Sequence, residues 1–188
     1  MSTNKPNLRK QLKLSFVLTL TITINTALTA VGASKIAYSD SKAPDFNLKT
    51  VDGNQVSLQS FKGKPLVIWF MAAWCPSCVG QAAAINHVSS EYGNKLNVLV
   101  IDLWASQNIG QSAQGLNAET DNDLQAFIAK NGSPQWKAAL DTVGLTIRYG
   151  ITQVDSTVVL DSTGNIVFKN VGPSGYQSLK DALAKVAI

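Results

Sequence analysis

The sequence predicts one α/β domain, a three-layer α/β/α sandwich. Its mixed sheet has central parallel strands, an antiparallel terminal pair and an N-terminal β-hairpin extension. Three observations carry this reading. The runs "PLVIWFM" (65–71) and "LNVLVIDL" (96–103) are continuous apolar segments, as strands buried on both faces require. A stretch of helical composition separates them, which is the spacing of a parallel crossover. Near the C-terminus, "STVVLD" and "NIVFKNV" are joined only by Ser162-Thr163-Gly164, a turn short enough for antiparallel pairing.

The remaining elements follow in chain order. "DFNLKTVDGNQVSLQSFKGK" alternates apolar and polar residues around Asp52-Gly53, a hairpin signal. After the first buried strand comes "CVGQAAAINHVSSEYG", a helix closed by Gly93. Residues 104–120 ("WASQNIGQSAQGLNAET") are rich in Gln, Asn, Ser and Gly and read as a long surface excursion. Asp121 or Asn122 is expected to cap the helix "DLQAFIAKNG", which Gly132 ends. "QWKAAL" reads as a short strand, "TVGLTIRYG" as a short helix and "YQSLKDALAKVA" as the last helix. No internal repeat or second globular domain is visible.

The 188 residues are 45% hydrophobic and 15% charged, enough for one ordinary core and too apolar for a disordered chain. The formal charge of +4 points to nucleic acid only until it is located. Residues 1–37 hold five basic residues (Lys5, Arg9, Lys10, Lys13, Lys35) and no acidic one, leaving eleven basic against twelve acidic residues for the rest. With no basic run in the body, a nucleic-acid partner is excluded. Four of those cations precede residues 14–33, "LSFVLTLTITINTALTAVGA", which is uncharged and free of proline. A cationic segment followed by an apolar one is the pattern of a signal peptide or an N-terminal membrane anchor. At about 1.5 Å per residue, twenty residues span about 30 Å, the thickness of a hydrocarbon core. Either outcome exports the domain. The expected organisation is 1–37 as signal or anchor, 38–44 as linker and 45–188 as the folded domain, extracytoplasmic, with possible membrane attachment by 14–33.

The chemistry sits in "AAWCPSCVGQ" (72–81), which holds both cysteines of the chain, Cys75 and Cys78. A buried strand delivers Cys75 to a helix start. Pro76 takes the first helical position, where a missing N–H costs nothing. The first-turn N–H groups of Ser77 and Cys78 and the positive end of the helix then favour a thiolate at Cys75. Cys78 lies one turn on, on the same face, close enough to close a disulfide. Cys75 is therefore expected to be the exposed attacking sulfur and Cys78 the shielded resolving one. A structural zinc site wants four ligands. The chain offers two cysteines and one histidine, His87, which a straight helix puts about 18 Å from Cys75. The site residues therefore include no metal ligand, and no cofactor is expected beyond a redox-active Cys75–Cys78 disulfide.

"APDFNLKTVDGNQVSLQSFKGKPLVIWFMAAWCPSC" and "YGITQVDSTVVLDSTGNIV" together resemble the thioredoxin superfamily, in its exported TlpA-like and ResA-like branch of thiol–disulfide oxidoreductases. The "PDF…DG…VSLQSFKGK" segment is also similar to peroxiredoxins. The resemblance covers residues 43–188. It implies a thioredoxin-like fold and reduction of protein disulfides by dithiol–disulfide exchange through Cys75-Pro76-Ser77-Cys78. Its implied partners are thiol or disulfide proteins and an upstream thiol donor. Three departures from the family pattern stand out. The alignment puts Asp155, after Val154, at the family's cis-proline position; a trans bond is expected there, and a carboxylate facing Cys75 would oppose its ionisation. Gln81 stands where many relatives carry a glutamate, and Trp69 where thioredoxins carry a buried aspartate. Ala83 lies where the active-site helix usually has a proline. Trp74, directly before Cys75, is a candidate for shielding the pair or touching substrate.

Two other functions compete. Cys75 and Cys78 as a copper(I)-binding or metal-chaperone module suit a soft ion, although Asp155 as third ligand does not. A thiol peroxidase is weaker, because Ala72 stands where the peroxiredoxin pattern has a threonine.

Overall fold

The structure, a computed structural model, describes residues 41–104 and 118–186. The segment 14–33 and most of the 104–120 excursion lie outside the described residues. Among those described, no helix is long and apolar enough to cross a membrane.

Among the described residues, eight strands form two sheets. The main sheet runs in the order β1-β8-β7-β4-β5-β6, and β2 with β3 makes a separate hairpin. At its centre lies β4 (Leu66–Met71), buried along its whole length. It pairs in parallel with β5 (Asn97–Asp102), which pairs in parallel with β6 (Lys137–Leu140). On its other side β4 meets β7 (Ser156–Leu160), antiparallel, and β7 pairs antiparallel with β8 (Asn165–Asn170) through a register shift at Val159/Leu160. The parallel centre and antiparallel terminal pair are those the apolar runs and the short turn predict. The hairpin β2 (Asn47–Lys49) and β3 (Gln55–Ser57) turns at Gly53, whose φ of +85° suits only glycine at no cost. Two residues that the sequence assigns to the linker, Ser41–Lys42, form β1 instead and cover the free edge of β8.

Neighbouring residues of β4 face opposite layers. The Trp69 ring meets Phe127 of α2 (Asp121–Asn131) at 6.0 Å, while the Phe70 ring meets Tyr149, the C-cap of α3 (Leu145–Arg148), at 5.7 Å. Helices thus cover both faces. The long helix α1 (Pro76–Tyr92) packs against α4 (Gly175–Leu183) and touches α2. The cap of α2 is Thr120 rather than Asp121 or Asn122: its backbone N–H and hydroxyl reach Asp123 Oδ2 at 2.8 and 2.7 Å. A reciprocal capping box satisfies more first-turn donors than a lone Asp would.

Where the parallel strands end, one carboxyl group holds the chain after β5 and another the chain that leads into α1. Asp102, fully buried, ends β5 opposite Met71, and its Oδ1 accepts the Trp104 N–H at 2.8 Å. Glu119 accepts the Ala73 and Trp74 N–H groups, both at 2.8 Å, on its two oxygens. Burial first, and the Glu119 carboxylate beside it second, hold the Asp102 carboxyl protonated well above the usual carboxylate range. The folded chain therefore keeps a proton that the unfolded chain releases near pH 4. From this group, stability falls by up to about 1.4 kcal/mol per pH unit as pH rises above about 4. Asp102→Asn, which has no such proton, is expected to flatten the decline between pH 5 and 7 and to be more stable than the parent at pH 7. Urea unfolding at the two pH values checks this; an unchanged slope contradicts it.

Candidate active site

Cys75 is the N-cap of α1 and Pro76 its first residue, as the sequence predicts from proline's fixed φ. The N–H of Cys75 bonds to the Ala72 carbonyl at 3.1 Å, turning the strand end sharply into the helix. Both sulfurs are free thiols. One expectation needs correction: Cys75 is as buried as its partner, at 3% and 0% relative exposure. The expected exposure follows from position at a helix start. In the fold, Asp155, in the chain before β7, closes over that start.

The two thiols ionise very differently. Cys75 is lowered from an ordinary value of 9.0 to about 6, first by the hydrogen bond that the Cys78 thiol donates to it. Burial opposes this, while the Ser77 hydroxyl and the Cys78 backbone N–H add to it. Ser77 acts through its side chain, with Oγ 3.3 Å from the Cys75 sulfur, where the sequence suggests its backbone N–H. Cys78 is pushed far above the thiol range, first by the hydrogen bond it donates to Cys75 and then by burial. One sulfur carries the charge, and the other holds the proton that stabilises it.

Asp155 closes the site from the opposite strand. It precedes Ser156, which pairs with Phe70 near the end of β4. The alignment position chosen from sequence therefore faces the cysteines in space. Among the described residues no peptide bond is cis, and Asp155 is the one non-glycine residue with positive φ, at 65°. The left-handed region is unfavourable for a residue with a Cβ, though least so for Asp and Asn. Its surroundings hold it there. Ser156 Oγ donates to the Gln153 carbonyl at 2.7 Å and accepts the Gly172 N–H at 3.0 Å. The Trp69 indole N–H donates to Asp155 Oδ1 at 3.0 Å. The residue is 1% exposed, its Oδ2 has no hydrogen-bond partner among the described residues, and half-buried Val154 precedes it. Ligand atoms of Cys75, Cys78 and Asp155 all lie within 4.8 Å of one another. The carboxylate raises both thiols by like-charge repulsion.

Gln81 is buried but bonds away from the sulfurs. Its Oε1 accepts the Ser174 and Gly175 N–H groups at 2.9 and 3.2 Å, and its Nε2 reaches Thr157 Oγ1 at 3.5 Å. It ties α1 to the start of α4, a job for a neutral amide. Trp74 is 39% exposed and stacks edge-on against Trp104 at 5.0 Å. His87 lies on the outer face of α1, with its side chain 63% exposed and its ring stacked on Tyr176 at 4.3 Å, remote in role from the sulfurs.

Sequence reasoning misses Glu119, which braces the chain before Cys75, and Asp102, which holds the chain after β5. Glu119 is hidden in a polar stretch that reads as loop. Asp102 carries a signal that was available: a carboxyl closing an otherwise apolar strand.

Comparisons with known proteins place the fold in a family. The family model described as Redoxin matches residues 38–185. The chain is 28% identical over 142 residues to the thioredoxin-like protein YneN of Bacillus subtilis, covering 76% of each. It is 25% identical over 146 residues to the thiol-disulfide oxidoreductase ResA of Bacillus thuringiensis, covering 77% of this chain and 76% of that one. Among solved structures, a thioredoxin-like protein from Aeropyrum pernix superposes with a TM-score of 0.66 at 31% identity, covering 76% of this chain and 89% of that one. A sheet of this order, a Cys-x-x-Cys at the helix start beyond its central strand, and a family match over most of the chain lead to one assignment. The chain belongs to the Redoxin family, as a thioredoxin-fold member similar to ResA and YneN.

Proposed function

We propose that this protein is an extracytoplasmic thiol–disulfide oxidoreductase that reduces protein disulfides through Cys75 and Cys78. The observation that carries the reading is the unequal pair: a Cys75 thiol lowered to about 6 beside a Cys78 thiol held protonated. The Cys75 thiolate attacks one sulfur of a substrate disulfide, and the other sulfur leaves as a thiolate that takes a proton from water. In the mixed disulfide Cys75 bears no charge, so the hydrogen bond that held the Cys78 proton is gone. Cys78 gives that proton up to solvent and attacks the Cys75 sulfur as a thiolate. The second substrate sulfur departs as a thiolate and takes up a proton from water, leaving the Cys75–Cys78 disulfide; two electrons have passed to the substrate. An upstream thiol donor returns the pair to the dithiol. The name of ResA, a thiol-disulfide oxidoreductase, supports the reaction class. Exposed Trp74 beside the pair supports a polypeptide substrate.

The extracytoplasmic part rests on the cationic start and the apolar 14–33 segment. In intact cells, a membrane-impermeant maleimide is expected to label Cys75 of the reduced protein. Labelling only after lysis contradicts export.

For the reaction, insulin reduction with dithiothreitol as donor is expected to fall to the uncatalysed rate in Cys75→Ser. Equal turnover by both proteins overturns the proposal. The thiolate assignment has its own check. Alkylation of reduced Cys75 should rise with pH around a midpoint near 6. Asp155→Asn removes a negative charge beside the thiolate and shifts the midpoint down; Ser77→Ala removes a hydrogen-bond donor and shifts it up. A midpoint near the ordinary 9.0 in the parent contradicts it.

A further inference from the structure

Beyond disulfide exchange, the site has the make-up of a metal centre. Cys75 Sγ, Cys78 Sγ and an Asp155 carboxylate oxygen are all buried and lie within 4.8 Å of one another. Two ligands of one tetrahedral zinc sit about 3.5–4 Å apart, given Zn–S of about 2.3 Å and Zn–O of about 2.0–2.2 Å. The set therefore closes on an ion with shifts of about 1 Å. Asp155 presents one oxygen for the purpose. Its Oδ1 is taken by the Trp69 indole N–H at 3.0 Å, while the buried Oδ2 has no partner among the described residues. A ligand oxygen left open, with the other fixed by a second group, is the outer-shell pattern that orients metal-binding carboxylates. The backbone holds this side chain in a left-handed conformation, at φ 65°. Such strain persists only where the surrounding structure enforces it, and it gathers at functional sites.

We propose that the reduced protein binds one borderline divalent ion, of which Zn²⁺ is the type, through Cys75 Sγ, Cys78 Sγ and Asp155 Oδ2, with a water completing the tetrahedron. Two sulfurs with one carboxylate suit zinc. Copper(I) prefers sulfur alone, and magnesium or calcium prefers oxygen alone. The positive end of α1 and the Ser77 hydroxyl beside Cys75 offset part of the ligands' negative charge. Any thiol still protonated passes its proton to solvent on binding. An incoming disulfide that oxidises the pair takes two electrons, forms the Cys75–Cys78 bond and expels the ion, so metal and disulfide exclude each other. This proposal shares its sulfurs with the function proposed above but needs no turnover.

The test titrates the full-length reduced protein with Co²⁺, read by absorption, and with Zn²⁺ against a competing chelator. One equivalent of Co²⁺ is expected to give a thiolate charge-transfer band and the visible bands of a tetrahedral ion, both missing from the disulfide form. Zinc X-ray absorption on the reduced wild type should show two sulfur and two lighter neighbours. Asp155→Asn is expected to weaken Zn²⁺ retention at least about tenfold. The wild-type spectra decide the point if that variant does not fold. No charge-transfer band in the reduced protein overturns the proposal, as does a folded Asp155→Asn that retains zinc as tightly as the parent. A glutathione titration of the same sample separates the two readings. A pair that cycles without binding Co²⁺ keeps the oxidoreductase and loses the metal site; one that binds Co²⁺ without cycling does the reverse.

Discussion

The hydrogen bond from Trp69 to Asp155 organises the active end of this molecule. It joins the middle of the central strand to the residue before β7, and it is buried on every side. A carboxylate in that place without a partner would carry a heavy desolvation cost. One oxygen is satisfied by the indole, the other has no partner among the described residues, and the carboxylate lies within 4.8 Å of two sulfurs. The exchange of residue types is informative. The resemblance leads one to expect a buried acid on β4 and a proline before β7. Here the indole is on β4 and the acid before β7, so a carboxyl group still lies near the pair, reached from the opposite side.

Charge control at the pair begins with the hydrogen bond between its two sulfurs, to which that placement adds a smaller opposing charge. Hydrogen bonds from Cys78 and Ser77 draw the Cys75 proton off, and burial and Asp155 push back. The donors win, and Cys75 is lowered from 9.0 to about 6. A site with the donors alone would ionise more readily still; burial is the larger of the two opposing effects and the Asp155 charge the smaller. Glu119 and Asp102 act one step further out. Glu119 grips the backbone of Ala73 and Trp74, fixing the turn from which Cys75 projects, and Asp102 holds the chain after β5.

Much of this was legible in the sequence, for physical reasons. The strands β4 and β5 announce themselves because burial on both faces demands unbroken apolar runs. The helix start at Cys75 is readable because proline tolerates few other positions. The location of Asp155 came from aligning the strand that follows it. What stayed hidden depends on contacts distant in the chain. The burial of Cys75 comes from elements outside its own motif, and a helix start alone says nothing of what closes over it. Glu119 meets Ala73 and Trp74 across 46 and 45 residues of chain. The pairing of Ser41–Lys42 with β8 reflects an edge that needed covering, which no local pattern in "SDSKAP" reveals. Thr120 displaced the expected caps because the capping box spans its own turn and needs Asp123 inside the helix.

The claim at the centre is that the Asp155 carboxylate feels the charge on Cys75 directly. Carbon-13 NMR of aspartate-labelled protein measures this at the carboxyl itself. In the dithiol state, the Asp155 carboxyl resonance is expected to show a step near pH 6 as Cys75 ionises, and the step is expected to vanish once the pair is a disulfide. A resonance that ignores both the pH of thiol ionisation and the oxidation state would contradict the account.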